Sequence, residues 1–223
     1  MNDQPQADLD WRDGQIPISR RFDDPYFSLD NGLAETKYVF LSGNDLPARF
    51  GGDFSIGELG FGTGLNFLVT WAAWLDGGAK GTLTFTTFEA FPMAIDDMRN
   101  ALTAFPEVAE LAKDFLPALA ESWSPSFGNV QLKVIVGDVR DTLPASSLMA
   151  DAWFLDGFSP AKNPEMWQDD LLAEVGRHTI SGGTAATYTA AGHVRRGLEN
   201  AGFAVERIKG YGRKRHMTKA VRL

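Results

Sequence analysis

Residues 56 to 64, Ile-Gly-Glu-Leu-Gly-Phe-Gly-Thr-Gly, set an acid near the end of an apolar run and then glycines at alternate positions. Glycine tolerates positive φ and lets bare backbone N–H groups approach a ligand, so Gly60, Gly62 and Gly64 read as a tight turn built around a bound molecule. Thr63-Gly64-Leu65-Asn66-Phe67-Leu68 then opens a helix, whose N-terminus favours an anionic group. A strand that turns through glycines into a helix restricts the chain to the α/β folds that hold nucleoside-bearing ligands.

The spacing narrows the ligand. A dinucleotide fingerprint needs Gly-x-Gly-x-x-Gly, and counting from Gly60 and Gly62 puts Leu65 where the third glycine belongs. Glu58 also opposes a pyrophosphate, because its carboxylate would face the ligand's own negative charge. S-adenosylmethionine suits both features, offering a carboxylate to the N–H groups and an ammonium and sulfonium to the acid. An NAD-dependent dehydrogenase and a structural turn without ligand remain as alternatives.

A chain of 223 residues, 44% hydrophobic, is long enough for one sizeable core. The absence of Cys excludes disulfides, thiolate metal sites and cysteine nucleophiles. No leader-like apolar stretch follows Met1 and no run approaches membrane-spanning length, so a cytoplasmic protein without a membrane partner is expected. The three histidines, His178, His193 and His216, are too scattered to propose as metal ligands. Net charge is −8, yet Arg195 to Leu223 carries nine Lys or Arg against Glu199 and Glu206. That end is +7, leaving 12 basic and 27 acidic residues, or −15, in the other 194. A basic end on an acidic body is either a polyanion footprint or a solvated face.

Strand and helix alternate after residue 50. Strands are expected at 54–59, 82–88, 130–136, 150–155, 184–189, 203–208 and 216–222, with helices near 63–75, 93–102, 107–121, 165–177 and 193–200. The pattern predicts a parallel sheet covered on both faces, with ligands outside the carboxyl ends of its strands. Glu58, Glu89, Asp138 and Asp156 all stand at such ends, and Glu89 falls where these folds put the acid that accepts from ribose hydroxyls. Residues 1–50, broken by Pro17, Pro25, Gly32, Gly43 and Pro47 around Tyr26-Phe27 and Tyr38-Val39-Phe40-Leu41, read as a β-rich extension packed on a core domain of 51–223.

Asp156-Gly157-Phe158-Ser159-Pro160-Ala161-Lys162-Asn163-Pro164-Glu165-Met166-Trp167 is a polar loop after a strand that is apolar to its last residue. An acid at its tip can hold an amine, Phe158 and Trp167 can stack on a flat group, and Lys162 can contact an anion. An Asx-turn for Asp156 and a core role for Trp167 are the structural alternatives.

These segments, taken with Tyr26-Phe27-Ser28, Gly32 to Thr36, Val39-Phe40-Leu41, Gly43-Asn44, Glu58 to Phe67, Thr189 to Gly192, Val194-Arg195-Arg196 and Gly210-Tyr211-Gly212-Arg213-Lys214-Arg215, closely resemble the MnmC-type tRNA methyltransferase domain. The resemblance runs from about residue 10 to the C-terminus, and the Asp156 to Trp167 loop is a more specific match than the glycine turn. It implies a class I S-adenosylmethionine-dependent methyltransferase fold, Rossmann-like, with a mostly parallel seven-stranded sheet whose last strand is antiparallel. It also implies methylation of the amine of 5-aminomethyl-2-thiouridine at the tRNA wobble position. Two-function members continue into an FAD-dependent domain; with no second nucleotide fingerprint before Leu223, methylation without FAD, on substrate made elsewhere, is expected.

On this reading the cofactor contacts are Glu58, Gly60, Gly62, Thr63, Gly64, Asn66, Glu89, Asp138 and Asp156, with Glu58 near the methionine end. Asp156 is the catalytic candidate, first orienting the acceptor amine. Tyr26, Phe158 and Trp167 are the stacking candidates, and Lys162, Arg195, Arg196, Lys209, Arg213, Lys214 and Arg215 the contacts to tRNA; no metal is expected. Methylation of a protein or small-molecule amine, and a tRNA-binding protein without turnover, are the rivals.

Overall fold

The computed structural model describes residues 5–28 and 31–223. Residues 1–4, where the N-terminus read above as leader-free begins, and 29–30 lie outside that description. The chain opens with three short strands, β1 (Leu9–Arg12), β2 (Ile16–Ser19) and β3 (Asp24–Pro25), which form an antiparallel sheet of their own. Helix α1 (Gly32–Thr36) follows, capped by Asn31, whose side chain accepts from the Ala34 N–H at 2.9 Å. It runs on through helical turns at Lys37–Leu41 and Ser42–Asn44.

The segment Tyr38 to Leu41 is therefore helical, a departure from the β-rich reading. Val39, Phe40 and Leu41 are three consecutive buried residues, and Phe40 stacks on Phe154 with centroids 5.2 Å apart. A strand would have turned one of the three to the opposite face.

The body alternates as expected: β4 (Phe54–Leu59), α2 (Leu65–Asp76), β5 (Leu83–Glu89), α3 (Ile95–Leu102), α4 (Ala109–Glu121), β6 (Ser126–Phe127), β7 (Val130–Val136), α5 (Val139–Thr142), β8 (Ala150–Leu155), α6 (Asp169–Arg177), β9 (Thr179–Thr187), α7 (Gly192–Asn200), β10 (Phe203–Lys209) and β11 (His216–Arg222). The sheet runs β10-β11-β9-β8-β4-β5-β7-β6. β11 is antiparallel to both of its neighbours, while β9, β8, β4, β5 and β7 are mutually parallel. Seven strands are those the sequence predicts. The eighth, β6, adds two residues to the β7 edge, too few for hydropathy to mark.

Each face has its own core. Phe54, Ile56, Phe85 and Phe154 pack with Phe67, Trp71 and Trp74 of α2 and Phe115 of α4, whereas Leu59, Phe88, Trp153 and Leu155 pack under α5, α6 and α7. Alternation along β4 therefore points even-numbered residues toward α2. Among the described residues no helix is long and apolar enough to cross a membrane.

Candidate active site

From β4 the chain proceeds through β5 to β7 on one side and later resumes with β8 on the other. In open parallel sheets such a reversal leaves a crevice at the strands' carboxyl ends. The glycine turn and Asp156 flank it. Gly60, Gly62 and Gly64 all have positive φ, at 88°, 55° and 76°. Gly60 is the most constrained: a Cβ there would lie 2.4 Å from the Asp156 carbonyl oxygen. Gly60→Ala is expected to cost about 2 kcal/mol or more in stability and to weaken cofactor binding at least tenfold, as read by thermal unfolding and calorimetric titration.

The four rim acids have separated roles. Glu89 Oε2 accepts from the N–H groups of Phe61 and Gly62, both at 3.1 Å, and its Oε1 accepts from Phe91 N–H at 2.8 Å. The turn's donors are thus already aligned on a carboxylate. Asp138 caps α5 by accepting from Arg140 N–H at 2.9 Å and pairs with the Arg140 guanidinium at 2.5 Å, which holds its carboxyl pKa below the ordinary range. Asp156 is half-buried, and burial pushes its carboxyl up to about 7 against the opposing hydrogen bond from Asn66.

Glu58 departs from expectation. It is fully buried, does not line the cavity, and accepts from Asn66 Nδ2 at 2.9 Å. Leu59 intervenes before the turn, so Glu58 still sits inside the sheet, in register with Thr87 and Phe154.

A cavity of about 930 Å³ lies over this rim, lined among others by Tyr26, Gly60, Gly62, Thr63, Asn66, Glu89, Asp138, Asp156, Phe158 and Lys214. Phe158 stacks on Phe22 with centroids 4.8 Å apart and meets Tyr26 edge-on at 5.0 Å, forming one aromatic wall. Trp167 does not join it. Its ring is buried, and its Nε1 donates to the Phe158 carbonyl at 2.9 Å, so it braces the loop from behind. Lys162 is likewise a brace, paired with Asp23, while Asp24 accepts from Ser159 N–H at 2.8 Å.

The basic residues divide. Lys214 turns inward, pairing with Glu35 at 2.7 Å and lying 4.1 Å over the Tyr188 ring. Arg195, Arg207 and Arg215 lie outside the cavity lining; burial first, and then the charges of Arg207, Arg215 and Arg195, hold His216 below the ordinary histidine value. Arg196, Lys209 and Arg213 are exposed on the same terminal segment. Among the residues not anticipated are Phe22, Glu35, Thr36, Tyr188 and Arg207. Tyr188, whose hydroxyl donates to the Gly157 carbonyl at 2.7 Å, is adjacent to a quoted segment, but nothing in its neighbours marks it.

A model of the S-adenosyl-L-methionine-dependent methyltransferase family matches residues 103–223, more than half of the chain. The chain belongs to this family. This methyltransferase is also 46% identical over 230 residues to the tRNA 5-methylaminomethyl-2-thiouridine biosynthesis bifunctional protein MnmC of Ectopseudomonas mendocina, covering 97% of the chain and 35% of that protein. It is 46% identical over 233 residues to MnmC of Aeromonas hydrophila, covering 95% and 34%. The chain thus spans about a third of the length of these curated relatives. The solved structure of MnmC2 from Aquifex aeolicus superposes with a TM-score of 0.73 at 27% identity, covering 98% of this chain and 71% of that one.

The residues present fit the family's cofactor. The glycine turn, Glu89, Asp138 and Asp156 line one cavity of about 930 Å³, a volume sufficient for a nucleoside carrying an amino-acid tail. Among the described residues no group of three or more acids or histidines is arranged to hold a metal ion.

Proposed function

We propose that this methyltransferase methylates the amine of 5-aminomethyl-2-thiouridine at the tRNA wobble position. The observation that carries the reading is the near-full coverage of the chain by proteins named for making 5-methylaminomethyl-2-thiouridine in tRNA. That product differs from the aminomethyl nucleoside by one N-methyl group, the step a methyltransferase supplies.

When bound, S-adenosylmethionine supplies an electrophilic methyl group on a sulfonium. The chain's own task is then to present a neutral amine in line with it. A primary alkylamine resembles Lys, with a pKa around 10, so baring its lone pair at pH 7 costs about 4 kcal/mol. The aromatic wall of Phe22, Tyr26 and Phe158 disfavours the ammonium form by desolvation, and the inward Lys214 does so by charge. Glu35, paired with Lys214, moderates that charge. Asp156 accepts Asn66 on Oδ2 at 2.6 Å, which leaves Oδ1 to accept an amine N–H and turn the lone pair toward the methyl group. Glu89 and Asp138 are proposed for the nucleoside end. The exposed Arg207 and Arg215 and the half-buried Arg195 suit tRNA phosphates, and Phe158 and Tyr26 suit the base.

The test is incubation with methyl-labelled S-adenosylmethionine and tRNA carrying 5-aminomethyl-2-thiouridine, followed by nucleoside analysis. Label is expected in the methylaminomethyl nucleoside and absent from tRNA lacking the aminomethyl group. Label on unmodified tRNA, or on protein or free amines instead, would reject the reading.

A further inference from the structure

The structure assigns Glu58 and Thr36 to a positioning role: both hold the Asn66 amide, the amide aims Asp156, and Glu58 is not the anionic partner of the cofactor's ammonium. The proposal rests on the methyl-transfer reading above and adds residues that act through another group.

Asn66 is buried at the start of α2, and its amide makes three side-chain hydrogen bonds. Nδ2 donates to Glu58 Oε1 at 2.9 Å and to Asp156 Oδ2 at 2.6 Å, while Oδ1 accepts from the Thr36 hydroxyl at 2.8 Å. Both carboxyl groups need donors, so the NH₂ end must face them, and Thr36 supplies the donor that the other end then needs. The amide has one orientation that satisfies all three partners. Asp156, which lines the cavity, is thereby held through Oδ2.

Glu58 has no cation beside it. The charged groups that act on it are Asp156 and Glu89, both acids. Among the described residues its Oε2 is buried without a partner, and so is the Thr87 hydroxyl, which stands near enough to draw the Glu58 pKa down but outside hydrogen-bonding geometry. A proton on Oε2 completes both atoms, since a neutral acid and a hydroxyl each donate and accept. An ionised carboxylate in the same place would be a buried charge without compensation. Burial accordingly pushes the Glu58 carboxyl well above its usual range. The neutral acid still accepts Asn66 on Oε1, which is all that positioning requires.

The experiment compares Glu58→Gln, Glu58→Leu and Asn66→Leu with the natural protein. Gln reproduces a neutral acid, accepting from Asn66 and donating to Thr87. Glu58→Gln is expected to keep cofactor affinity within about twofold and to restore most of the turnover that Glu58→Leu loses, at least twentyfold. Asn66→Leu should move the acid limb of the pH–rate profile upward by about one unit, because it removes the bond that favours ionised Asp156. If Glu58→Leu does not fold, Thr36→Val replaces it, with an expected loss of at least fivefold. A tenfold or greater loss of cofactor affinity in Glu58→Gln would overturn the inference, as would full turnover in Glu58→Leu or Thr36→Val, or an unmoved acid limb in Asn66→Leu. Cofactor titration needs no tRNA, so its failure is distinct from failure of the methylation reading, which would appear as no label transferred by the natural protein.

Discussion

Asp156→Ala is expected to lower turnover at least a hundredfold while changing cofactor affinity less than threefold. A positioned acid–base group contributes about 10²–10⁴ in rate, and Asp156 lines the cavity. In the natural protein the rate should rise with pH through about 7, the region to which burial lifts the Asp156 carboxyl. The sign on stability is opposite. A folded-state pKa raised from 3.8 means that folding favours the protonated form, so this contribution is complete below pH 4 and is lost as pH rises through 7. Asp156→Asn, which cannot ionise, should therefore melt higher than the natural protein at pH 8 without cofactor, and the gap should narrow as pH falls and close below pH 4. Full turnover in Asp156→Ala, or a rate independent of pH between 6 and 8, would remove Asp156 from the chemistry.

The second large effect is on tRNA affinity. Arg195, Arg207 and Arg215 gather around His216, and replacing all three with Ala is expected to weaken tRNA binding at least tenfold. The slope of log affinity against log salt should shrink by about 2 to 3, one counterion being released for each phosphate neutralised. Cofactor affinity measured on the same variant should stay unchanged. An unaltered salt slope would mean that the +7 end is merely solvated. Lys214 is left out of this set because its ammonium is committed to Glu35 at the cavity wall.

Strands β4, β7 and β8 lie at the residues the sequence predicts: β7 alternates apolar and polar residues from Val130 to Val134, and β8 closes on the apolar run Ala152 to Leu155. β9 begins five residues earlier than expected, at Thr179, since Gly182 and Gly183 interrupt its pattern and the pairing with β8 shifts register there. At the site, the glycine turn, Glu89, Asp138 and Asp156 are legible because each follows directly on a recognisable strand. Glu58 is buried within the sheet between β5 and β8 and does not line the cavity, since nearness to the turn in sequence does not by itself put a side chain on the turn's surface. The ion pairs of Lys214 and Lys162 were not legible, because their partners, Glu35 and Asp23, lie 179 and 139 residues away, distances over which no local pattern carries information. Trp167 was open to both readings, and its indole N–H settles as a brace for the backbone of Phe158.

Glu89 carries a consequence for affinity. Three backbone N–H groups hold its carboxylate, using three of about four lone-pair directions and leaving one toward the cavity. A ligand hydroxyl therefore meets an acceptor whose rotamer is already frozen, and the entropy of immobilising that side chain is charged to folding, not to association.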